Sequence, residues 1–392
     1  MKKLQILLVF FIITIPAFSQ SAEMWLGLYD RIDTLEYKYS ILQNVVDTED
    51  NALVPLFQKA LNDTNLIIQA SLDNNDKKFF DEIQKISIKK LGDFKVIDSE
   101  EAIFKAYQDT NILLIKTESI IALGKMGSVK YLDDFIITLR NINMRTEGNT
   151  NMSDNEAIAS ALVTYFENIK DESSYEVVFY ASTGWYSPRS GIKERAKNAL
   201  KLISNDPSAV LKNIIEKDPS FSNKILALST ENESGAPDAN KSNLAVSALS
   251  EGIRHITSSV AENMELLTLR LLACNVLANS SSKDPAAVPH LERLLFDNYD
   301  VSEKLTVIET LGTFKSSEAV ETLTKFLRDQ NKKQADGMSP YIDRRTVIAT
   351  INALGNSGNL SAQEELIIVT TIPTWSTAVI QAARTALEKL KK

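Results

Sequence analysis

Leu123-Gly-Lys-Met-Gly-Ser128 returns twice with small changes, as Leu311-Gly-Thr-Phe-Lys-Ser316 and as Leu354-Gly-Asn-Ser-Gly-Asn359. Each copy closes one helix-patterned stretch and precedes another. Aligned on their leucines, the copies carry Phe135, Leu323 and Leu366 twelve residues on, and the first two carry Leu132 and Val320 nine residues on. That spacing predicts one helix ending at the junction and a second folding back on it. Gly127 and Gly358 stand where a helix C-terminus favours a left-handed residue, a place Lys315 takes in the second copy. Ser128, Ser316 and Asn359 follow as N-cap candidates for the next helix.

Asp206-Pro-Ser-Ala-Val210 and Asp284-Pro-Ala-Ala-Val288 form a second type of junction, with Asp as cap and Pro in the first turn, where no amide donor is needed. Ser317-Glu-Ala-Val320 opens in the same way, and apolar helix patterns cover Ile192 to Ile203 and Leu266 to Ala278. The leucines at 277, 311, 354 and 387 lie 34, 43 and 33 residues apart, which suits two-helix repeats with variable loops. The expected fold is all-α, an α-α superhelix or solenoid of roughly seven to nine helical hairpins.

With these residues in place, the chain resembles HEAT-like (armadillo-type) helical repeat proteins, particularly the short bacterial form related to phycobilin-lyase HEAT-like repeats. Ala122-Leu123-Gly124, Ala353-Leu354-Gly355 and the Asp-Pro-x-Ala-Val starts carry the likeness, which is clearest over 111–142 and 263–392. The resemblance implies a protein-binding scaffold, with a lyase or chaperone-like role as the alternative that the family name suggests.

Residues 1–19 have the layout of a secretory signal: Lys2 and Lys3, an apolar run, Pro16, then a small-residue site at Ala17-x-Ser19. The run falls short of the roughly 20 apolar residues of a membrane span. Cleavage after Ser19 would leave a periplasmic or secreted chain with no span, and no cysteine stands there to make a lipoprotein. The expected organisation is a signal peptide over 1–19, a helical cap with divergent repeats over 20–110, and the repeat solenoid over 111–392. Trp25, Leu28, Ile32, Leu35, Tyr39, Leu42 and Val46 alternate spacings of three and four, a heptad seam. Such a helix either caps the array or forms a homodimer through Trp25–Val46, which would make the protein an oligomeric component of the cell envelope.

The net charge is -8, and residues 1–19 contribute two lysines and no acid, so the exported chain would be more acidic still. Nucleic acid is a poor partner for it, because phosphate neutralisation needs clustered Lys and Arg. Apolar residues make up 44%, enough to bury a core. The single cysteine, Cys274, lies on an apolar helix and reads as a buried thiol, so packing must hold the fold without an internal disulfide. His255 and His290 have no HExxH partner, and neither a Gly-x-Ser-x-Gly elbow nor a phosphate-cradling glycine loop occurs. Asp47-Thr-Glu-Asp-Asn51 and Asp73-Asn-Asn-Asp76 lack the glycine and closing glutamate of a calcium loop. The expectation is a non-catalytic protein with no metal or cofactor.

Function is then expected in the irregular loops. Those at 143–153, 183–191 and 331–340 are each expected to join the first helix of a hairpin to its second, with 231–240 on the opposite edge. Thr183-Gly-Trp-Tyr-Ser-Pro-Arg189 offers Trp185, Tyr186 and Arg189, residue types that dominate interface energetics. The other reading is that Trp185 folds back over the helix ends. Asp336-Gly-Met-Ser-Pro-Tyr-Ile-Asp-Arg-Arg345 offers Met338, Tyr341 and Arg344, or else a solvated loop before a capped helix. Trp375, after Pro373, reads as core or cap. The functional expectation is a scaffold of the bacterial periplasm or envelope, binding a protein partner through a groove and a loop edge.

Overall fold

The structure, a computed structural model, describes residues 22–145, 152–297 and 300–391. The signal-peptide reading of 1–19 and the middle of the 143–153 loop lie outside these residues. Two compact units divide the chain, one ending at Ile203 and the other beginning at Ser204.

The first unit holds α1 (Ala22–Asp30), α2 (Leu35–Val45), α3 (Val54–Leu66), α4 (Asn74–Asp93), α5 (Glu100–Asp109), α6 (Leu113–Met126), α7 (Leu132–Asn143), α8 (Met152–Ile169), α9 (Tyr175–Thr183) and α10 (Ile192–Ile203). The second holds α11 (Ser208–Lys217), α12 (Phe221–Glu233), α13 (Asp238–Arg254), α14 (Val260–Asn279), α15 (Ala287–Asp297), α16 (Val301–Phe314), α17 (Ser317–Ala335), α18 (Arg344–Ser357), α19 (Gln363–Thr371) and α20 (Thr377–Leu390). No strand occurs among the described residues. In each unit the even-numbered helices pack on one another in chain order, the odd-numbered ones form a second layer, and each odd helix pairs with the even helix after it. This is helical-repeat solenoid architecture, with five hairpins among the described residues of each unit.

The described residues form ten hairpins, beside the roughly seven to nine expected. Leu91-Gly92-Asp-Phe-Lys95 is a fourth copy of the junction and closes α4 as Leu311-Gly-Thr-Phe-Lys315 closes α16. Helices on the two sides of residue 110 pack together, α4 and α5 both on α6, inside the first unit.

Five even helices end alike. Four residues after the buried Leu91, Leu123, Phe166, Leu311 and Leu354 come left-handed residues Lys95 (φ 53°), Gly127 (74°), Lys170 (57°), Lys315 (53°) and Gly358 (68°). At the first two, the amide beyond the left-handed residue returns to the leucine carbonyl, Val96 to Leu91 and Ser128 to Leu123, both at 3.0 Å. These bonds satisfy carbonyls that a helix end leaves unpaired. Ser316 and Asn359 cap the following turns as expected, each accepting an amide. Ser128 does not. Its hydroxyl donates to Glu100 at 2.6 Å and its carbonyl accepts the Tyr165 hydroxyl at 2.6 Å, while α7 begins only at Leu132.

The glycine directly after each junction leucine has a separate task inside the helix. A Cβ on Gly355 would stand 2.7 Å from Ala386 Cα, one on Gly92 2.7 Å from Ala122 Cα, and one on Gly124 2.9 Å from Tyr165 Cα. Consecutive even helices meet backbone to backbone there. Gly355→Val is expected to force α18 and α20 apart and to destabilise the second unit by about 1–3 kcal/mol, read as a lower urea midpoint. An unchanged midpoint would mean that the two helices separate freely.

The heptad helix is not continuous. Arg31–Thr34 break it into α1 and α2, with Thr34 extended at φ -89° and ψ 137°. Ile32, Asp33 and Thr34 are weak helix formers, so a turn is cheap where the apolar spacing runs on unchanged. Tyr29, Ile41 and Val45, all off the expected seam, are buried together with its Leu35 and Leu42, and the two helices make the first hairpin. The seam proposed for a homodimer through Trp25–Val46 therefore has no single helix to carry it.

Candidate functional site

The two loops singled out in the sequence differ in structure. Within the first, Tyr186 is 1% exposed and its hydroxyl donates to Asn143 Oδ1 at 2.5 Å. Trp185 is half-buried, stacks obliquely on Tyr186, and donates its indole N–H to the Ile142 carbonyl at 2.9 Å. Asn143 Nδ2 in turn donates to the Val177 carbonyl at 2.9 Å. The segment folds back over the end of α7, so Tyr186 has no surface to offer a partner. Arg189 remains exposed in the turn before α10.

The same arrangement occurs in the second unit. Asn331 Nδ2 donates to the Glu365 carbonyl at 3.2 Å, and Asn331 Oδ1 accepts the indole N–H of buried Trp375 at 3.2 Å. In both units an arginine three residues before the asparagine meets a glutamate at the start of the next odd helix. Arg140 lies 3.7 Å from Glu176, and Arg328 Nε donates to Glu365 at 2.6 Å. A simpler form joins Asn65 to the Ala102 carbonyl at 2.9 Å. In each case the carbonyl belongs to the third residue of an odd helix, reached from near the end of the previous odd helix. Trp185, Tyr186 and Trp375 are thus parts of a tie between neighbouring hairpins. The signal for it, Arg-x-x-Asn at a helix end followed about a hairpin later by Trp, is present in the sequence at 140–143 and 328–331.

The second loop is anchored below and open above. Gln334 Nε2 donates to the Thr374 carbonyl at 2.8 Å and Gln334 Oε1 accepts from Ser339 at 3.2 Å. Asp343 caps α18 by accepting the amides of Arg345 and Thr346. Between these fixed points Met338 is 44% and Tyr341 81% exposed, and Arg344 is also exposed. The next residue, Arg345, already lines an open groove of about 560 Å³ between α16 and α18. Its floor is small, Gly312, Ala349 and Ala353, because Gly312 lets the helices approach, and Glu309 and Asn352 stand along it. Loop and groove are consecutive along α18. Met338, Tyr341 and Arg344 precede this groove along the chain without lining it, and its lining residues are ones the sequence did not mark.

Burial pushes the Cys274 thiol up to about 12, so it is not a thiolate nucleophile near neutrality. Burial and nearby Arg293 lower His290 below its ordinary value. His255 rests on Glu251 at 3.2 Å. Burial alone would raise Glu251, but Lys224 at 2.7 Å, with Arg254 and His255, outweighs it and holds the carboxyl below the usual range. Arg270 joins α14 to Glu303 of α16 at 2.6 Å. Among the described residues no three His, Cys, Asp or Glu side chains come together as a metal would require, and no helix is long and apolar enough to cross a membrane. Of the acidic clusters, Asp73 and Asp50 are helix caps.

No family model matches the chain, and no curated protein matches it. Among solved structures, an engineered protein is 16% identical over 95% of this chain and 99% of its own, with a TM-score of 0.36. SYS-1 is 9% identical, and SYS-1 in the SYS-1/POP-1 complex 11%, each over 94% of this chain and 72% of its own, with a TM-score of 0.32. Likenesses this distant carry no functional conclusion. The architecture stands on the chain's own packing, stacked helical hairpins that make each unit a helical-repeat solenoid.

Proposed function

We propose that the protein is a non-catalytic, protein-binding scaffold of the HEAT-like kind, exported to the periplasm or cell envelope, and that the α16–α18 groove with the 336–344 loop holds a polypeptide partner. The observation that carries this reading is the continuity of an open groove with a loop whose Met, Tyr and Arg side chains face solvent while its ends are fixed. Interfaces favour side chains of these types, and a loop fixed at both ends loses less entropy when a partner covers it. Export rests on the charge and apolar pattern of residues 1–19 alone.

The test is a photocrosslinking residue at position 341 in the source cell. A discrete polypeptide adduct is expected, lost when Met338→Ala and Arg344→Ala are combined, with thermal stability unchanged within about 0.5 kcal/mol because the substituted side chains lie on the surface. Adduct yield that ignores both substitutions would place partner binding elsewhere.

A further inference from the structure

Glu231, in the last turn of α12, is 0% exposed, and one of its carboxyl oxygens, Oε2, has no hydrogen-bond partner. The other, Oε1, lies 2.5 Å from the hydroxyl of Ser208 at the start of α11. That hydroxyl also contacts Asp206 Oδ1. A serine hydroxyl has one proton to give and here touches two carboxyl oxygens, so a second proton must lie between these groups. The surroundings decide where it sits. Asp206 accepts the Ser208 amide at 3.3 Å and the Asn240 side-chain amide at 2.9 Å, which suits an anion, whereas Glu231 has only Ser208.

We propose that Glu231 is a neutral carboxylic acid that donates to Ser208 while Ser208 donates to Asp206, forming a pH-sensitive latch that fastens α11, α12 and α13 together and loosens when the proton leaves. The charged groups around it are few. Asp206 faces it from the approach to α11 and disfavours a second negative charge; Lys241 of α13 acts in the opposite sense, with its ammonium on the carbonyls of Asn232 and Ser234. Lys212 of α11 is engaged with Asn243, and α14, which also packs on α12, contributes no charge to the site. Burial and Asp206 outweigh Ser208 and Lys241, so the Glu231 carboxyl is raised above its ordinary value. A cleft of about 290 Å³ between α11 and α13, lined by Asp206 and Ser208, gives the proton a way to bulk water.

The sign follows from the direction of the shift. A group that binds its proton more tightly folded than unfolded contributes its full stabilisation below the unfolded value, and loses it as pH rises through the folded one. In the full chain labelled with ¹³C at glutamate side chains, the carboxyl resonance that vanishes in Glu231→Gln is expected to titrate above the usual glutamate range. Over the same interval the urea midpoint of the wild-type second unit should fall. In Glu231→Gln that fall should be missing, because an amide donates to Ser208 without ever charging. Asp206→Asn should move both transitions to lower pH. Titration of Glu231 in the ordinary range, or a parallel loss of stability in wild type and Glu231→Gln, would overturn the latch. Should Glu231→Gln not fold, the resonance identified by its displacement in Ser208→Ala decides alone.

Discussion

Leu311→Asp is expected to abolish the cooperative unfolding transition of the second unit and its share of the helical circular dichroism. Leu311 is 1% exposed, inside α16, at a junction the chain uses repeatedly. Truncating a buried leucine costs about 2–5 kcal/mol, and the carboxylate adds several more because burial strips it of water. A folded domain has only about 5–15 kcal/mol in total. In a stack where each hairpin buries its face against neighbours, the loss is felt on both sides of α16, by α14 and by α18. Denaturant melts with both signals at wild-type values would show that the junction leucines are not core, and the repeat reading would fail with them.

The second large effect falls on a residue that looked functional from sequence. Tyr186→Ala is expected to destabilise the first unit by about 3–5 kcal/mol, since a large aromatic leaves the interior. The substitution also strips Asn143 Oδ1 of its donor, at 1% exposure of the tyrosine. Tyr186→Phe keeps the ring and should cost about 0.5–1.5 kcal/mol, the net worth of one hydrogen bond to the half-buried Asn143. Urea midpoints of the two variants separate the packing part from the hydrogen bond. A Tyr186→Ala protein as stable as the wild type would return this side chain to the candidates for partner contact.

The junctions were legible because they depend on local chemistry: a leucine, a left-handed position and a cap lie within six residues. The copy at Leu91–Lys95 was passed over since Val96 replaces the capping Ser or Asn, leaving only the helix end to see. The break at Arg31–Thr34 was hidden for the opposite reason, as apolar residues keep a heptad spacing straight through a turn. Asn143 and Asn331 could not be singled out. Each is an ordinary polar residue whose partner carbonyl lies 34 positions away, and only the stacking of odd helices brings them together. Glu231 is similar: its meaning depends on Ser208, 23 residues earlier, and on a burial that no local pattern announces. The exposed Met338–Arg344 loop was visible as a loop, but its continuity with a groove required the packing of α16 against α18.

The asparagine ties also bear on how the hairpins come apart. In a stack held only by nearest-neighbour packing, an outer hairpin can fray while the rest stays folded, and melting spreads inward step by step. Here the loop after α19 is fastened to α17, and the loop after α9 to the end of α7. Opening either later hairpin must first release hydrogen bonds and aromatic surface belonging to the earlier one. Each tie therefore fuses two hairpins into one cooperative block, and hydrogen exchange through α17–α20 should proceed as a single event and not as a graded sequence.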